Sequence, residues 1–430
     1  MQSSIEQFSL PTPAQTRTPG ATPLLELAMR FARIRDRTVQ LLVGLEAEDL
    51  IAQSMPDASP AKWHLAHTTW FFETFVLQPA GFEPLHPAWL PLLNSYYESH
   101  GPRHPRSERG LLTRPTVSQV LDYRHLVDER IRTLLERGEA SKAIASVELG
   151  LQHEQQHQEL IVTDMKHLLF RNPLAPAWRA RRAPRVAVLA HAELAFHRCE
   201  EGRTMIGASP DGFAFDHERP RHATWLAAHA LASRPVTNSE FAAFVDAGGY
   251  DDPALWLSDA WTQVKSEQWH APLYWRRANG GWEQFSVYGY ESLELAEPVC
   301  HISYYEADAF ARWAGMRLPT EAEWEYLAAQ REWNGEFADT DTLHPRALSR
   351  ESFGGNVWEW TSSAYVPYPG FRPLEGAAGE YNGKFMSGQM VLRGGSCATP
   401  REHVRPSYRN FFPPHARWQF SGVRLAKDLA

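Results

Sequence analysis

The sequence predicts an α+β protein in two parts, a helical bundle followed by a loop-rich module of short strands. Three observations predict it. Apolar residues recur at the helical period in four stretches between residues 23 and 170. A Pro- and Arg-rich connection then carries Arg171, Arg179, Arg181, Arg182 and Arg185 between and around Pro173 and Pro184. From about Leu194 the segments become short, with turn signals at Glu201-Gly202, Asp211-Gly212, Gly248-Gly249 and Gly280-Gly281. The chain of 430 residues exceeds one typical core, so two domains are expected: 23–185 and 186–430, after a Pro-, Thr- and Ser-rich flexible arm over 1–22.

The first helix is expected over Leu24–Leu45, where Leu27, Phe31, Ile34 and Leu42 fall on one side with charges between them. Ser59-Pro60 reads as an N-cap followed by proline at the first helical position, opening an aromatic helix over Ala61–Leu77. A proline-rich connection over 78–115 leads to a third helix from about Thr116 to Arg137, with Val120, Tyr123 and Ile131 on its apolar side. No Gly or Pro interrupts Leu151–Phe170, the fourth helix. In the second part, helical stretches are expected near Ser239–Ala247 and Tyr304–Ala314. The excursion from Tyr250 to Glu297 shows too little periodicity to assign.

The fourth helix carries the chemistry. His153 and His157 are four residues apart, so at 3.6 residues per turn they stack on one face and form a two-point metal clamp. A third ligand must come from a facing helix, as in bundles that hold metals. The second helix offers His64 and His67, and His67 shares a face with Trp63, Trp70 and Phe71, which aims it inward. Imidazoles suit Fe(II) as well as Zn(II), and three of them leave coordination positions open. Glu159 lies two residues past His157, about 200° around the helix, and so reads as structural or as a support behind the ligands, not as a ligand itself.

Composition narrows the partners. A formal net charge of -8 leaves no broad excess of Lys and Arg for phosphates, so nucleic acid is not expected as a partner. Sixteen tryptophans point to aromatic-lined crevices for small molecules. Three cysteines at wide spacing fit neither a disulfide framework nor a zinc finger, which points to a reducing compartment. The N-terminal residues lack a basic segment followed by an apolar core, and no apolar run is long enough for a membrane span. A cytoplasmic location is expected.

Specific motifs then bring a resemblance. The run Pro298–Tyr326, which ends in Arg317-Leu-Pro-Thr-Glu-Ala-Glu-Trp-Glu-Tyr326, together with Gly354-Gly-Asn-Val-Trp-Glu-Trp360 and Leu392-Arg-Gly-Gly-Ser396, resembles the formylglycine-generating-enzyme-like fold, a relative of C-type lectins. Ser59-Pro-Ala-Lys-Trp-His-Leu-Ala-His67 and His153-Glu-Gln-Gln-His-Gln-Glu159 resemble the DinB-like four-helix bundle. The combination is similar to the iron-dependent sulfoxide synthases of ergothioneine biosynthesis, in the branch with a Tyr-Tyr pair. The resemblance implies Fe(II) on His67, His153 and His157, and a reaction that uses O2 to join a cysteine thiol to C2 of the imidazole of N-alpha-trimethylhistidine (hercynine), leaving a sulfoxide.

The same resemblance assigns further residues. It gives Gln156 a hydrogen bond to the substrate imidazole, and Tyr96 or Tyr97 a catalytic role in the oxygen step. It matches Arg106 and Arg109, in a loop that also carries Arg103, to arginines that hold the thiol substrate; a fork of N–H donors suits an amino-acid carboxylate. Asn410 and Phe411 match positions near the quaternary ammonium, where an aromatic face attracts a cation. Phe412 and Ala416 stand where relatives that use γ-glutamylcysteine have charged residues, so free L-cysteine is the expected donor, with His415 and Arg417 the neighbours that a shift in alignment would bring into that role. A formylglycine-generating oxidase is disfavoured because Cys397 lacks a nearby second cysteine, and a pure binding module because all three histidines are present. An ovothiol-type synthase acting on histidine at C5 is the nearer alternative; such relatives usually carry a C-terminal methyltransferase, and none is expected within these 430 residues.

Overall fold

The computed structural model describes residues 23–136, 143–180, 194–348 and 350–429. The expected arm over 1–22 and the expected boundary at 185/186 lie outside the described residues. The protein is α+β, with a helical N-terminal part and a sheet-rich C-terminal part.

Four long helices form the first part: α1 (Pro23–Gln40), α2 (Ala61–Phe72), then, after the single turn α3 (Leu90–Leu93), α4 (Val117–Glu136) and α5 (Ile144–Arg171). α2 packs against α4 and α5, and α1 packs against the same pair, which is the arrangement of a bundle. Every residue of α2 is buried. Its helix continues through a wider turn at Glu73–Leu77, where the Glu73 carboxylate accepts from Tyr123 Oη at 2.7 Å and from the Leu85 N–H at 2.8 Å. The cap expected from Ser59 does not form. The N-cap position is taken by Pro60, one residue later, while the Ser59 N–H donates to Asp164 at 2.8 Å and its hydroxyl accepts from Arg109 at 2.9 Å. Gly150 lets α2 and α5 approach closely: a Cβ there would meet the Phe72 ring at 2.5 Å.

α5 is long and buried on more than one face, so its polar residues need partners from every direction. Toward α1 and α4, Glu154 accepts from Arg35 at 2.9 Å, Arg124 at 2.6 Å and Thr38 at 2.5 Å. Toward the C-terminal part, Glu159 accepts from Trp358 Nε1 at 2.8 Å, Ser396 Oγ at 2.6 Å and Thr399 Oγ1 at 2.8 Å. The structural role expected of Glu159 is therefore to fasten the two parts together.

The C-terminal part opens with strands β1 (Phe196–Cys199), β2 (Gly202–Ile206), β3 (His222–Leu226) and β4 (His229–Ala232), followed by helices α6 (Asn238–Asp246) and α7 (Ser258–Ser266). The unassigned excursion holds α7 and the meander β5 (Trp275–Ala278), β6 (Gly281–Ser286) and β7 (Gly289–Ser292). After α8 (Tyr304–Trp313) and α9 (Glu321–Ala328) come β8 (Trp358–Ala364), β9 (Met390–Arg393), β10 (Asn410–Phe412), β11 (Ser421–Val423) and β12 (Ala426–Asp428). The central sheet runs β10-β9-β8-β11, with β11 parallel to β8, and β1-β4-β12 forms a second sheet. α9 was not expected from periodicity; its signal is the capping box Thr320-x-x-Glu323, the same device that starts α6 and α8. The expected pair of helices at 239–247 and 304–314 is present. All three cysteines are free and buried, and no described helix is long and apolar enough to cross a membrane.

The Glu154 cluster sets an acid-stability expectation. Burial alone would raise the Glu154 carboxyl, but Arg124 and Arg35 outweigh it and hold it down to about 2, below an ordinary value of about 4.5. A depressed carboxylate stabilises the fold fully above the unfolded value, and that contribution fades as pH falls from about 4.5 toward 2. Glu154→Gln should cost about 3–5 kcal/mol at neutral pH, because it leaves Arg35 and Arg124 buried with less compensation. It should also flatten the loss of stability in that acid window. Denaturant unfolding across pH checks both, and a variant as stable as wild type at pH 7 would contradict the reading.

Candidate metal centre and adjoining cavity

His67 on α2 and His153 and His157 on α5 bring one ring nitrogen each to within 4.8 Å of one another, in a buried position. His67 Nε2 and His153 Nε2 are 3.2 Å apart. That is about the separation of two nitrogens that each lie ~2.1 Å from a shared ion at roughly 100°. Among the described residues this is the one cluster of three or more His, Cys, Asp or Glu side chains suited to a metal.

Hydrogen bonds behind the rings fix which nitrogen faces inward. His67 Nδ1 lies 2.6 Å from the Leu93 carbonyl, which can only accept, so the proton sits on Nδ1 and Nε2 presents its lone pair. His157 Nδ1 lies 2.7 Å from His64 Nδ1, and His64 Nε2 lies 3.0 Å from Asp164 Oδ2. With the Asp164 carboxylate as acceptor, His64 carries its proton on Nε2 and accepts from His157 through Nδ1, which leaves His157 Nε2 bare. His153 has no such support: its Nδ1 is buried without a partner among the described residues. Burial holds all three imidazoles below their ordinary range, His153 to about 4, so they are neutral donors at neutral pH. The residues fit a divalent metal. His64, the other candidate in α2, acts on His157 instead.

Aromatic rings hold the centre in place. Trp63 stacks on His67 with centroids 4.5 Å apart and planes at 11°, and the Arg109 guanidinium lies over the Trp63 ring at 3.3 Å. Phe71 lies 4.5 Å from His153. Burial pushes the Arg109 guanidinium down to about 9, with Arg106 adding to the effect, and it remains charged at neutral pH.

A cavity of about 310 Å³ lies between α5 and the C-terminal part; Gln156, the residue before His157, lines it, and none of the three histidines does. Of the residues expected at the site, Tyr96, Arg106, Gln156, Asn410, Phe411 and Phe412 line it. Tyr96 meets Tyr381 and Phe385 edge-on, with centroids at 5.5 and 5.0 Å. Phe411 stacks on Tyr365 at 4.1 Å and 8°. Arg106 also donates to the Asp57 carbonyl.

Three expected residues lie elsewhere. Tyr97 is buried against Phe75 and Trp70, with centroids at 4.9 and 5.8 Å, and burial raises its phenol. Arg109 is in the stack with Trp63 rather than in the cavity lining. Ala416 is fully buried and does not line the cavity. Its neighbour Arg417 is committed to Glu306 at 2.9 Å and to the Trp269 ring at 4.3 Å, and His415 lies along a different groove. Tyr408 and Trp358, which also line the cavity, were not expected at the site; Trp358 stands within the Gly354–Trp360 motif, and neither carries a spacing signal of its own.

Comparison with known proteins agrees with this architecture. Residues 30–161 match the DinB superfamily, and residues 195–354 and 342–429 match the sulfatase-modifying factor enzyme 1-like domain. The chain is 33% identical to the hercynine oxygenase of Mycobacterium tuberculosis, over 94% of this chain and 99% of that protein. It is 32% identical to the hercynine oxygenase of Mycolicibacterium thermoresistibile, over 94% of this chain and 95% of that protein. Ergothioneine biosynthesis protein 1 of Schizosaccharomyces pombe is 30% identical over 50% of this chain and 28% of its own length.

Metal analysis tests the donor set. His67→Ala, His153→Ala and His157→Ala should each lose stoichiometric metal, while His64→Ala should retain a site weakened by about 10- to 100-fold, since it removes only the support behind His157. Full metal content in His67→Ala, or complete loss confined to His64→Ala, would place the ligands elsewhere.

Proposed function

The chain belongs to the hercynine oxygenase family, an oxygenase of ergothioneine biosynthesis, and on that basis we propose that it is a non-haem iron sulfoxide synthase. In this reading it joins the sulfur of L-cysteine to C2 of the imidazole of N-alpha-trimethylhistidine, with O2 as oxidant. The observation that carries it is the convergence of three neutral, lone-pair-bearing imidazoles at α5, the helix that also lines, through Gln156, a cavity combining aromatic faces with Arg106 and Arg409. Fe(II) held by His67, His153 and His157 would bind thiolate and O2 and supply the one-electron chemistry that O2 requires.

The protein's own groups position and protonate. Gln156 meets the substrate imidazole from α5. Phe411, aligned on Tyr365, offers a π face to the trimethylammonium, and Asn410 lies at the same end of the cavity. Arg106 faces the cavity as the donor for the cysteine carboxylate, while Arg109 keeps its charge near the histidines and stiffens Trp63. Tyr96 lines the cavity, as Tyr381 and Tyr408 do, and of the Tyr96–Tyr97 pair it is the candidate proton donor; Tyr97 is packed away from the cavity.

Free cysteine is favoured over γ-glutamylcysteine for a physical reason. A glutamyl head group brings an ammonium and a carboxylate; of the two positions matched to charged residues in relatives, Phe412 lines the cavity and Ala416 is buried outside its lining, so neither offers a charge. Arg417 is already paired with Glu306, so it is not free to answer them. Leaving those charges unmatched in a dry site costs several kcal/mol.

Two measurements test the reading. Iron-loaded enzyme given trimethylhistidine and either thiol should show a kcat/KM at least about tenfold higher for cysteine. A preference for γ-glutamylcysteine would overturn the donor assignment, and turnover of unmethylated histidine at C5 would favour the ovothiol-type alternative. Tyr96→Phe keeps the ring and removes only the hydroxyl. It should shift product from sulfoxide toward oxidised cysteine, whereas Tyr97→Phe should not; unchanged ratios in both single variants and in the double would remove tyrosine from the oxygen step.

A further inference from the structure

A buried chain of hydrogen bonds runs from the surface of the bundle to the cavity, and only one placement of its protons is consistent. At the outer end, Glu148 is paired with Arg30 at 2.5 Å. A carboxylate in that pair accepts, so Gln152 turns its Nε2 toward Glu148 at 3.0 Å and its Oε1 toward His403. His403 Nδ1 lies 2.7 Å from Gln152 Oε1, which can only accept, so Nδ1 carries the proton. His403 is neutral, since burial and then Arg405 hold it well below its ordinary range, and its Nε2 is therefore an acceptor. Tyr408 Oη, 2.9 Å away, donates to that nitrogen, and burial keeps the phenol protonated. Its oxygen then receives Gln156 Nε2 at 2.9 Å. The Gln156 amide is thereby locked with Oε1 turned away from this chain, and that oxygen has no partner among the described residues.

We infer that Tyr408 and His403 are positioning residues that fix the amide polarity of Gln156, so that the cavity presents an acceptor and selects an imidazole with N–H on that side and a bare nitrogen opposite. The inference rests on the functional reading above, because it takes an imidazole as the occupant. Neither residue needs to touch substrate. Their effect passes through the direction of one amide, which in water would turn freely and accept either a donor or an acceptor.

The test compares an imidazole with rings that lack the N–H. Full-length protein is loaded with Fe(II) under anaerobic conditions, and binding is measured by calorimetry for trimethylhistidine and for the oxazole analogues in which oxygen replaces either ring nitrogen. Wild type should prefer the imidazole over the analogue with oxygen facing Gln156 by on the order of tenfold, since two acceptors then meet. Tyr408→Phe and His403→Leu release the amide, so the preference should shrink to about twofold or less. His403→Gln can still accept from Tyr408 and donate to Gln152, and should keep it. A merely structural loosening would weaken all ligands by one factor and leave the ratio intact; that result, an unchanged ratio in Tyr408→Phe, or no preference in wild type would overturn the inference. Failure of wild type to bind trimethylhistidine at all would instead defeat the functional reading, and this inference with it.

Discussion

The structure depends on one constraint: α5 is a helix with polar groups on every side, placed where little water can reach them. An unpaired buried carboxylate or amide costs several times what a good hydrogen bond returns, so each group dictates what must stand opposite it. Glu154 requires the arginines of α1 and α4 and so closes the bundle. Glu159 requires donors from the central sheet and the loop after β9, and so docks the C-terminal part. His153 and His157, on the remaining face, meet α2 where Gly150 allows the helices to approach. The cavity lies between the second and third of these demands.

What the sequence made legible follows the range of each interaction. The His153/His157 clamp, the long helices and the outward aim of Glu159 are local consequences of the helical period, and they could be read from spacing. His67 could be preferred over His64 from its aromatic face, which proves to be a stack on Trp63. Both histidines are buried, however, and their division of labour depends on Asp164, a hundred positions away in the chain. No spacing rule carries that. The partners of Glu159 were equally hidden, although Trp358 and Ser396 sit inside the two most recognisable blocks of the C-terminal part. Periodicity also passed over α9, since a helix of eight residues rests on its capping box and packing more than on its own pattern.

The loop after α2 shows a different limit. Tyr96 and Tyr97 are adjacent, so their side chains diverge, and which one enters the cavity is decided by irregular backbone that has no period to read. The same holds for Arg106 and Arg109, of which one faces the cavity and the other is drawn onto an indole. A buried guanidinium must find acceptors or a π face, and Trp63 supplied the latter. At Phe412 and Ala416 the reading rested on what is missing, and the structure adds that the nearby charge of Arg417 is spent on Glu306.

Direction, as well as distance, organises the site. Two hydrogen-bonded chains approach it from behind, His157–His64–Asp164 and Gln156–Tyr408–His403–Gln152–Glu148. Each ends on a carboxylate, which accepts and does not donate. Every bond upstream must then donate outward, and the innermost group of each chain is left with its lone pair facing in. His67, backed by the Leu93 carbonyl, obeys the same rule on a shorter path. Three acceptors are therefore left free of these chains: two imidazole nitrogens whose protons sit on the other ring nitrogen, and one amide oxygen whose NH2 group is turned away. Such a lining repels an anion unless something positive lies between, and it welcomes a cation on the nitrogens and an N–H on the oxygen. His153, whose Nδ1 has no partner behind it, is the one member of the set that can hold its proton on either nitrogen, so it can satisfy its neighbour His67 without a metal and still turn a lone pair inward when one is bound.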